Sequence, residues 1–311
     1  MTGSGDRLLR ELVAVAGELG ADELGEVLSR AVAPVVAHEG VRLSGTTPSA
    51  AGGVHPLGFP HGYGADFDPA CPPRGNGDAP VLRRVFVDHG ELRLTLRDAR
   101  GEWGSLSLVR ARPFDADDVR RALDLGPWLI AALRAHVTGG PLAPSGPPDP
   151  PGVVVLGPDD RVRASTPAAR RWQPRRAGHG TEWVGRLFLA ALSAQARRHA
   201  RDPRVPPALV HGPAATFGRW VAFHAQPTGT GDVAVVLQAA SGTPLLPVFG
   251  DWYGITTRER QVIAELLDGA VPKQIARRLG VSAHTVHDHF KSIFRKTGAD
   301  GRHHLVTALA G

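Results

Sequence analysis

Residues 139–152 read GGPLAPSGPPDPPG. Proline removes an amide donor and fixes φ, and glycine is costly to order, so this run can neither continue a helix nor pair as a central strand. The polypeptide on either side must build its own elements. A softer seam, SGTPLLPVFG, covers 241–250. The 311 residues are therefore expected to divide into folded segments at 1–138, 153–240 and 255–311, with 139–152 as a linker and 241–254 as a connector.

Hydrophobic residues make up 42% of the chain and charged residues 21%, enough to fill ordinary cores and too apolar for wholesale disorder. No apolar run approaches the ~20 residues that span a bilayer, and MTGSGD lacks the layout of an export signal, so the expected location is the cytoplasm with no membrane partner. The single cysteine, Cys71, excludes an internal disulfide and a cysteine-rich metal module; alone in a Gly/Pro-rich loop it is a poor haem ligand. Nucleophile-elbow, phosphate-loop, zinc-protease and dinucleotide motifs are missing, so no catalytic residue, metal or cofactor is expected and the chain is not read as an enzyme.

The first segment opens with Leu8, Leu9, Leu12 and Leu19, then Leu24, Val27, Leu28, Ala31, Val32 and Val35, two apolar stripes at helical spacing. A Gly/Pro-rich stretch, 46–80, precedes three strand-like runs at 81–88, 91–97 and 103–110. Asp115 begins a closing helix through Leu129 and Val137 with a kink at Pro127. Helix pair, antiparallel sheet and closing helix, and above all GEWGSLSLVRARPFDADDVRRALDLGPWLIAALRAHV, resemble a GAF domain. The second segment starts PGVVVLGPDDRVRASTPAARRW, which looks like the opening hairpin and first helix of a PAS domain. A helix over 181–199 and strands over 217–225 and 232–239 are expected after it. The two resemblances imply sensor or dimerisation modules, with an unidentified small-molecule ligand in one of them.

The charge is uneven. Of the net +6, four units lie in 255–311, and all three lysines of the chain, Lys273, Lys291 and Lys296, fall there. A polyanion could use such a cluster. In the same stretch Thr256 and Glu259 form a T-x-x-E capping box for one helix, and Pro272 suits the first position of a second. Gly280-Val281-Ser282 makes a three-residue corner, with Ser282 capping a third helix that runs to about Lys296. A fourth helix passes through Leu305, Val306 and Leu309.

At about 100° per residue the third helix sorts into two faces. Val286, Phe290, Ile293 and Thr297 share one side. His284, His287, Asp288, Lys291 and Arg295 share the other, without a large apolar group. Such a face fits a groove: Lys291 can donate to guanine and Asp288 can accept from cytosine. Lys273, Arg277, Arg278 and Lys296 are suited to phosphate contact, which supplies affinity without sequence choice. His284, His287 and His289 point in different directions around the helix and cannot converge on a metal.

ITTRERQVIAELLDGAVPKQIARRLGVSAHTVHDHFKSIFRKTGADGRHHLVTAL closely resembles the LuxR-type helix-turn-helix domain of bacterial transcription regulators. The resemblance implies base-proximal positions for His287, Asp288 and Lys291, phosphate contact near Lys273, Thr285 and Lys296, and dimer contacts through the fourth helix, at Leu305, Val306 and Leu309. Thr257, His287 and His304 depart from the usual pattern. The fold class expected is multidomain α+β, GAF-like then PAS-like α/β sensor domains followed by an all-α four-helix domain. The function expected is that of a sequence-specific, double-stranded-DNA-binding homodimeric regulator. The alternative is a sensor whose C-terminal helices only dimerise or dock on a partner.

Overall fold

The computed structural model describes residues 3–50, 53–63, 85–88, 90–144, 146–172 and 182–310. Cys71 lies outside them, as does most of the Gly/Pro-rich stretch.

Helices α1 (Gly3–Val15) and α2 (Ala21–Val32) lead into strands β1 (Gly40–Gly45), β2 (Leu57–His61), β3 (Val85–Asp88), β4 (Glu91–Asp98) and β5 (Gly101–Val109). The strands form one antiparallel sheet in the order β2-β1-β5-β4-β3. The register aligns Leu43 with Leu106 and Leu94, and Val41 with Leu108 and Leu92. These rows give an apolar face, which is fully buried together with Leu9, Leu12, Leu24, Leu28, Leu129 and Leu133 of the helices. Each such leucine contributes about 1.5–3 kcal/mol relative to an exposed one. Gly25 of α2 is required by close approach, because a Cβ there would stand 2.2 Å from the Pro60 carbonyl oxygen of β2.

Two features differ from expectation. Strands β1 and β2 were hidden by glycine and proline; Pro60 is tolerated because β2 is the sheet edge, where a missing amide breaks no ladder. The closing helix is not kinked but split, into α3 (Ala116–Leu123) and α4 (Gly126–Gly139). Asp115 and Asp118 form a reciprocal cap at the start of α3, and Pro127 occupies the first turn of α4, where its missing donor does no harm.

The proline-rich run is held down. Arg219 Nη2 donates to the carbonyls of Gly146 (2.7 Å) and Pro147 (2.8 Å), and Trp172 Nε1 to that of Pro150 (2.9 Å). It leads into β6 (Gly152–Leu156), β7 (Val162–Ser165), α5 (Pro167–Arg171), α6 (Glu182–Arg201), β8 (Ala208–Gly212), α7 (Ala214–Phe217), β9 (Val221–Pro227) and β10 (Val233–Ala239). This second antiparallel sheet has the order β7-β6-β10-β9-β8. Leu156, Val210, Val221, Phe223, Val233 and Val235 pack beneath Leu192 and Ala196 of α6. The strand expected from Phe217 begins only at Val221, because 214–217 close into a helical turn that ends at Gly218. Strand β8 was masked by its flanking prolines.

Residues 241–254, expected as a connector, are largely helical. A 3₁₀ turn (Thr243–Leu245) runs directly into α8 (Leu246–Tyr253), whose Leu246, Val248, Phe249, Trp252 and Tyr253 are all buried. Trp252 meets Trp103 of β5 edge-on at 5.5 Å between ring centroids. Arg134 of α4 lies over Trp103 and donates to the Trp252 carbonyl at 3.3 Å. Four helices follow: α9 (Thr257–Leu267), α10 (Pro272–Leu279), α11 (Ala283–Thr297) and α12 (Arg302–Ala310). Their buried residues Val262, Ile263, Ile275, Val286, Phe290, Ile293, Leu305 and Leu309 belong to the same continuous core as the first sheet and α8.

Candidate nucleic-acid interface

The C-terminal helices are started and stopped by local chemistry. The Thr256 hydroxyl accepts from the Glu259 amide (3.3 Å), and Glu259 Oε2 accepts from the Thr256 amide (2.7 Å), closing a capping box on α9. Pro272 opens α10, and Gln274 Oε1 accepts from the Val271 amide at 3.0 Å. Gly280, at φ +64°, takes the left-handed conformation that ends α10 and turns the chain toward α11. Ser282 Oγ accepts from the Thr285 amide at 3.0 Å, and Gly298 stops α11 fifteen residues on.

On α11, Val286, Phe290, Ile293 and Thr297 are buried. The opposite side faces solvent: His284, His287, Asp288, Lys291 and Arg295 are all exposed. The side chains of His284 and Lys291 are 84% and 67% exposed. Asp288 stands between them, its carboxylate 3.5 Å from His284 Nε2 and 3.6 Å from Lys291 Nζ. At such exposure these pairs are worth about 0.3–0.5 kcal/mol at most, so a competing phosphate or base can break them cheaply.

The residues expected at phosphates separate into two sets. Lys273, Arg277 and Arg278 are exposed on α10, with Arg278 Nη1 also bonded to Glu265 Oε2 at 2.7 Å. Thr285 is half-buried, its hydroxyl 2.9 Å from Ser282 Oγ at the corner. Lys296 is placed differently. Its ammonium donates to Glu259 Oε2 at 2.6 Å, and only 24% of the side chain is exposed. Burial alone would raise the Glu259 carboxyl, but bonds from Lys296, the Thr256 amide, Ser292 and the Thr256 hydroxyl outweigh it and hold the group at about 2. A phosphate contact by Lys296 would come at the expense of that bond.

The positions expected at a dimer contact differ in exposure within the chain. Leu305 and Leu309 are fully buried in the chain's own core, and the Leu309 carbonyl accepts from the Gly242 amide at 2.6 Å. Only half-buried Val306 of the three is accessible to a partner. The four-helix unit instead uses α12 to seat itself against α9 and the segment before α8.

Two residues that anchor this site were not singled out from the sequence. Arg258 Nη2 donates to the Leu279 carbonyl at 2.6 Å, satisfying the end of α10 beside the corner. Buried Asp251 joins α8 to both neighbours: Oδ1 accepts from Arg260 Nη2 at 2.8 Å, and Oδ2 from the Ser49 amide at 2.7 Å. Arg258 and Arg260 flank the capping glutamate in TTRER, a spacing that could have marked them. Nothing local could have marked Asp251, whose amide partner is 202 residues away.

Residues 254–309 match the family model described as bacterial regulatory proteins, luxR family. The C-terminal unit is a LuxR-family helix-turn-helix domain. The chain is also 40% identical over 81 residues to the transcriptional regulatory protein UhpA of Salmonella typhimurium strain LT2, a match covering 25% of this chain and 36% of that protein. It thus spans only about a third of that relative's length. Among solved structures, VqmA bound to DPO is 18% identical and covers 52% of this chain and 86% of its own, with a TM-score of 0.19, too slight to define a shared arrangement. Among the described residues no helix is long and apolar enough to cross a membrane, and no three His, Cys, Asp or Glu side chains come together as metal ligands.

Proposed function

We propose that this protein is a sequence-specific DNA-binding transcription regulator whose reading element is α11. The observation that carries the reading is the division of that helix. One side is locked in the core by Val286, Phe290 and Ile293, and the other offers His284, His287, Asp288, Lys291 and Arg295 to solvent. A helix anchored this way, preceded by a glycine corner, can enter a major groove without unfolding anything. Lys291 and Asp288 are the base-reading candidates, with His284, His287 and Arg295 beside them. Lys273, Arg277, Arg278 and Thr285 then supply phosphate contact from α10 and the corner.

In this reading the regulator acts as a homodimer on an inverted repeat, with reading helices about one turn, ~34 Å, apart. Of the three expected dimer positions on α12, half-buried Val306 is the one left accessible to a partner. The division into a GAF-like unit at 1–138, a linker at 139–152, a PAS-like unit at 153–240, a connector at 241–254 and the domain at 255–311 belongs to the same proposal, as do a sensory role and a cytoplasmic location. Support for the two N-terminal assignments is the pair of five-stranded antiparallel sheets, each covered by helices on an apolar face.

The test is selection of genomic fragments by the purified full-length chain, followed by footprinting of the retained sequences. A protected inverted repeat, with affinity falling steeply as salt rises, is the expected result. Failure to retain any fragment at low salt would sink the reading and leave docking on a protein partner in its place.

A further inference from the structure

The face of the first sheet turned away from its leucine core carries an unusual row. Register aligns Arg42 of β1, Ser107 of β5 and Arg93 of β4 directly across three neighbouring strands. Adjacent strands lie about 4.8 Å apart, so the two arginine backbones stand about 10 Å apart with the serine between them. Arg93 Nη2 is held by Glu91 at 2.8 Å, which answers its charge. Arg42 feels that same carboxylate only through space. It is largely buried, and among the described residues it makes no ion pair and no hydrogen bond, with Nε enclosed and unpartnered. Ser107 is 1% exposed, and its hydroxyl is likewise enclosed without a partner.

A largely buried guanidinium that shares its one nearby carboxylate, Glu91, with a second arginine is costly, and a buried hydroxyl without a bond adds to it. The surroundings hold Arg42 in place. Its guanidinium lies over the Trp183 ring at 5.6 Å from the centroid, and Trp183 in turn meets Tyr63 at 5.1 Å. Trp183 lies in the first turn of α6, and next to it Val184 Cγ1 would be 2.5 Å from a Cβ at Gly58. The Arg42 end of the row is therefore covered by the first turn of a helix from the second unit. The indole contact helps hold the guanidinium, whose Nη groups carry the donors that remain.

We propose that Arg42 and Ser107 form a binding site for the carboxylate of a small organic acid, seated between the first sheet and the start of α6. A planar carboxylate matches the fork of a guanidinium through two parallel hydrogen bonds, and a neighbouring hydroxyl can donate to the same oxygens. One negative charge is what the site lacks, since Arg93 is already balanced by Glu91. A phosphate monoester would bring nearly two. The ligand's remainder would lie against Trp183 and Tyr63, which favours an apolar or aromatic body.

The test uses the purified full-length chain without DNA, so its failure would leave the DNA reading untouched. Acetate, benzoate, neutral benzamide and inorganic phosphate are added separately, with thermal midpoint and tryptophan emission as readouts. At saturation a carboxylate should raise the midpoint by about 2–4 °C and change the emission, while benzamide and phosphate do neither. Ser107→Ala should keep the fold and weaken the carboxylate response about 5–10-fold. Arg42→Met should abolish the response and, with no acid present, melt higher than the parent, because it removes a largely desolvated charge that no carboxylate bonds. Silence of both acids, an equal response in Arg42→Met, a response to phosphate alone, or a lower midpoint for Arg42→Met without ligand would each overturn the assignment.

Discussion

Asp251 accepts from Arg260 through one carboxylate oxygen while its other oxygen is held by the backbone of a loop 202 residues earlier. The pair spans the junction between α8 and α9, and the Ser49 amide ties both to the first sheet. The Asp251 side chain is 7% exposed and that of Arg260 30%, so water screens the pair incompletely.

Replacing Asp251 with alanine should therefore lower stability by about 1–3 kcal/mol, since it leaves a guanidinium and an amide without their acceptor. Urea unfolding followed by tryptophan emission measures it. An unchanged midpoint would mean that the aromatic contacts alone hold α8.

The three lysines should behave as three different residues. Lys291→Ala should cost about 1–3 kcal/mol in binding to a selected site and relax the preference at one base pair. Lys273→Ala should weaken all sequences alike and reduce the salt slope by about one. Lys296→Ala should instead destabilise the fold, because its ammonium answers Glu259, which is 3% exposed. Titrations at several salt concentrations, paired with thermal melts, separate the three. Equal behaviour of Lys291 and Lys296 in both assays would contradict the geometry.

Glu259 should give the C-terminal unit an acid limb. Its carboxyl is held at about 2 when folded, against 4.5 for the unperturbed group. The unfolded chain therefore binds the proton first as pH falls. The stability it contributes is complete above 4.5 and is lost progressively as pH drops toward 2. Glu259→Gln should flatten that limb in melts recorded between pH 5 and 2, at the cost of lower stability near neutrality.

Arg219 should control access to the proline-rich run. It is 7% exposed and bonds two consecutive carbonyls of that run. Arg219→Ala should speed proteolytic nicking within 139–152 several-fold, with fragments identified by mass. Identical nicking rates would show that the run is held by its other contacts, such as the Trp172–Pro150 bond.

How much of this was readable in the chain follows from how local each signal is. The capping box at Thr256, the glycine corner and the two faces of α11 depend on residues within one or two turns of each other, and all appear where spacing put them. Alternation likewise located β4 and β5, and the turn at Gly229-Thr230-Gly231 located β10. Strands β1, β2 and β8 went unread because glycine and proline interrupt their patterns, and Pro60 is permitted only by an edge position that the chain order does not reveal. For α8 the two prolines suggested a break, yet Pro247 lies in its first turn, where a proline fits. Burial of Leu305 and Leu309 was also out of reach: an apolar stripe does not say whether its cover comes from a second copy or from the same chain. Asp251 and the Arg42–Ser107–Arg93 row are tertiary features, set by register and by chain-distant contacts.

Trp252 has one further implication. With its indole lodged against Trp103, the helical segment that leads into the C-terminal unit is packed on the first sheet and not strung on a tether. If the protein works as the dimeric DNA-binding regulator proposed above, news of an event upstream would arrive as a change in the pitch of α11 against its partner's, altering which spacings of half-sites can be spanned, and not as a change in how often the domain meets DNA.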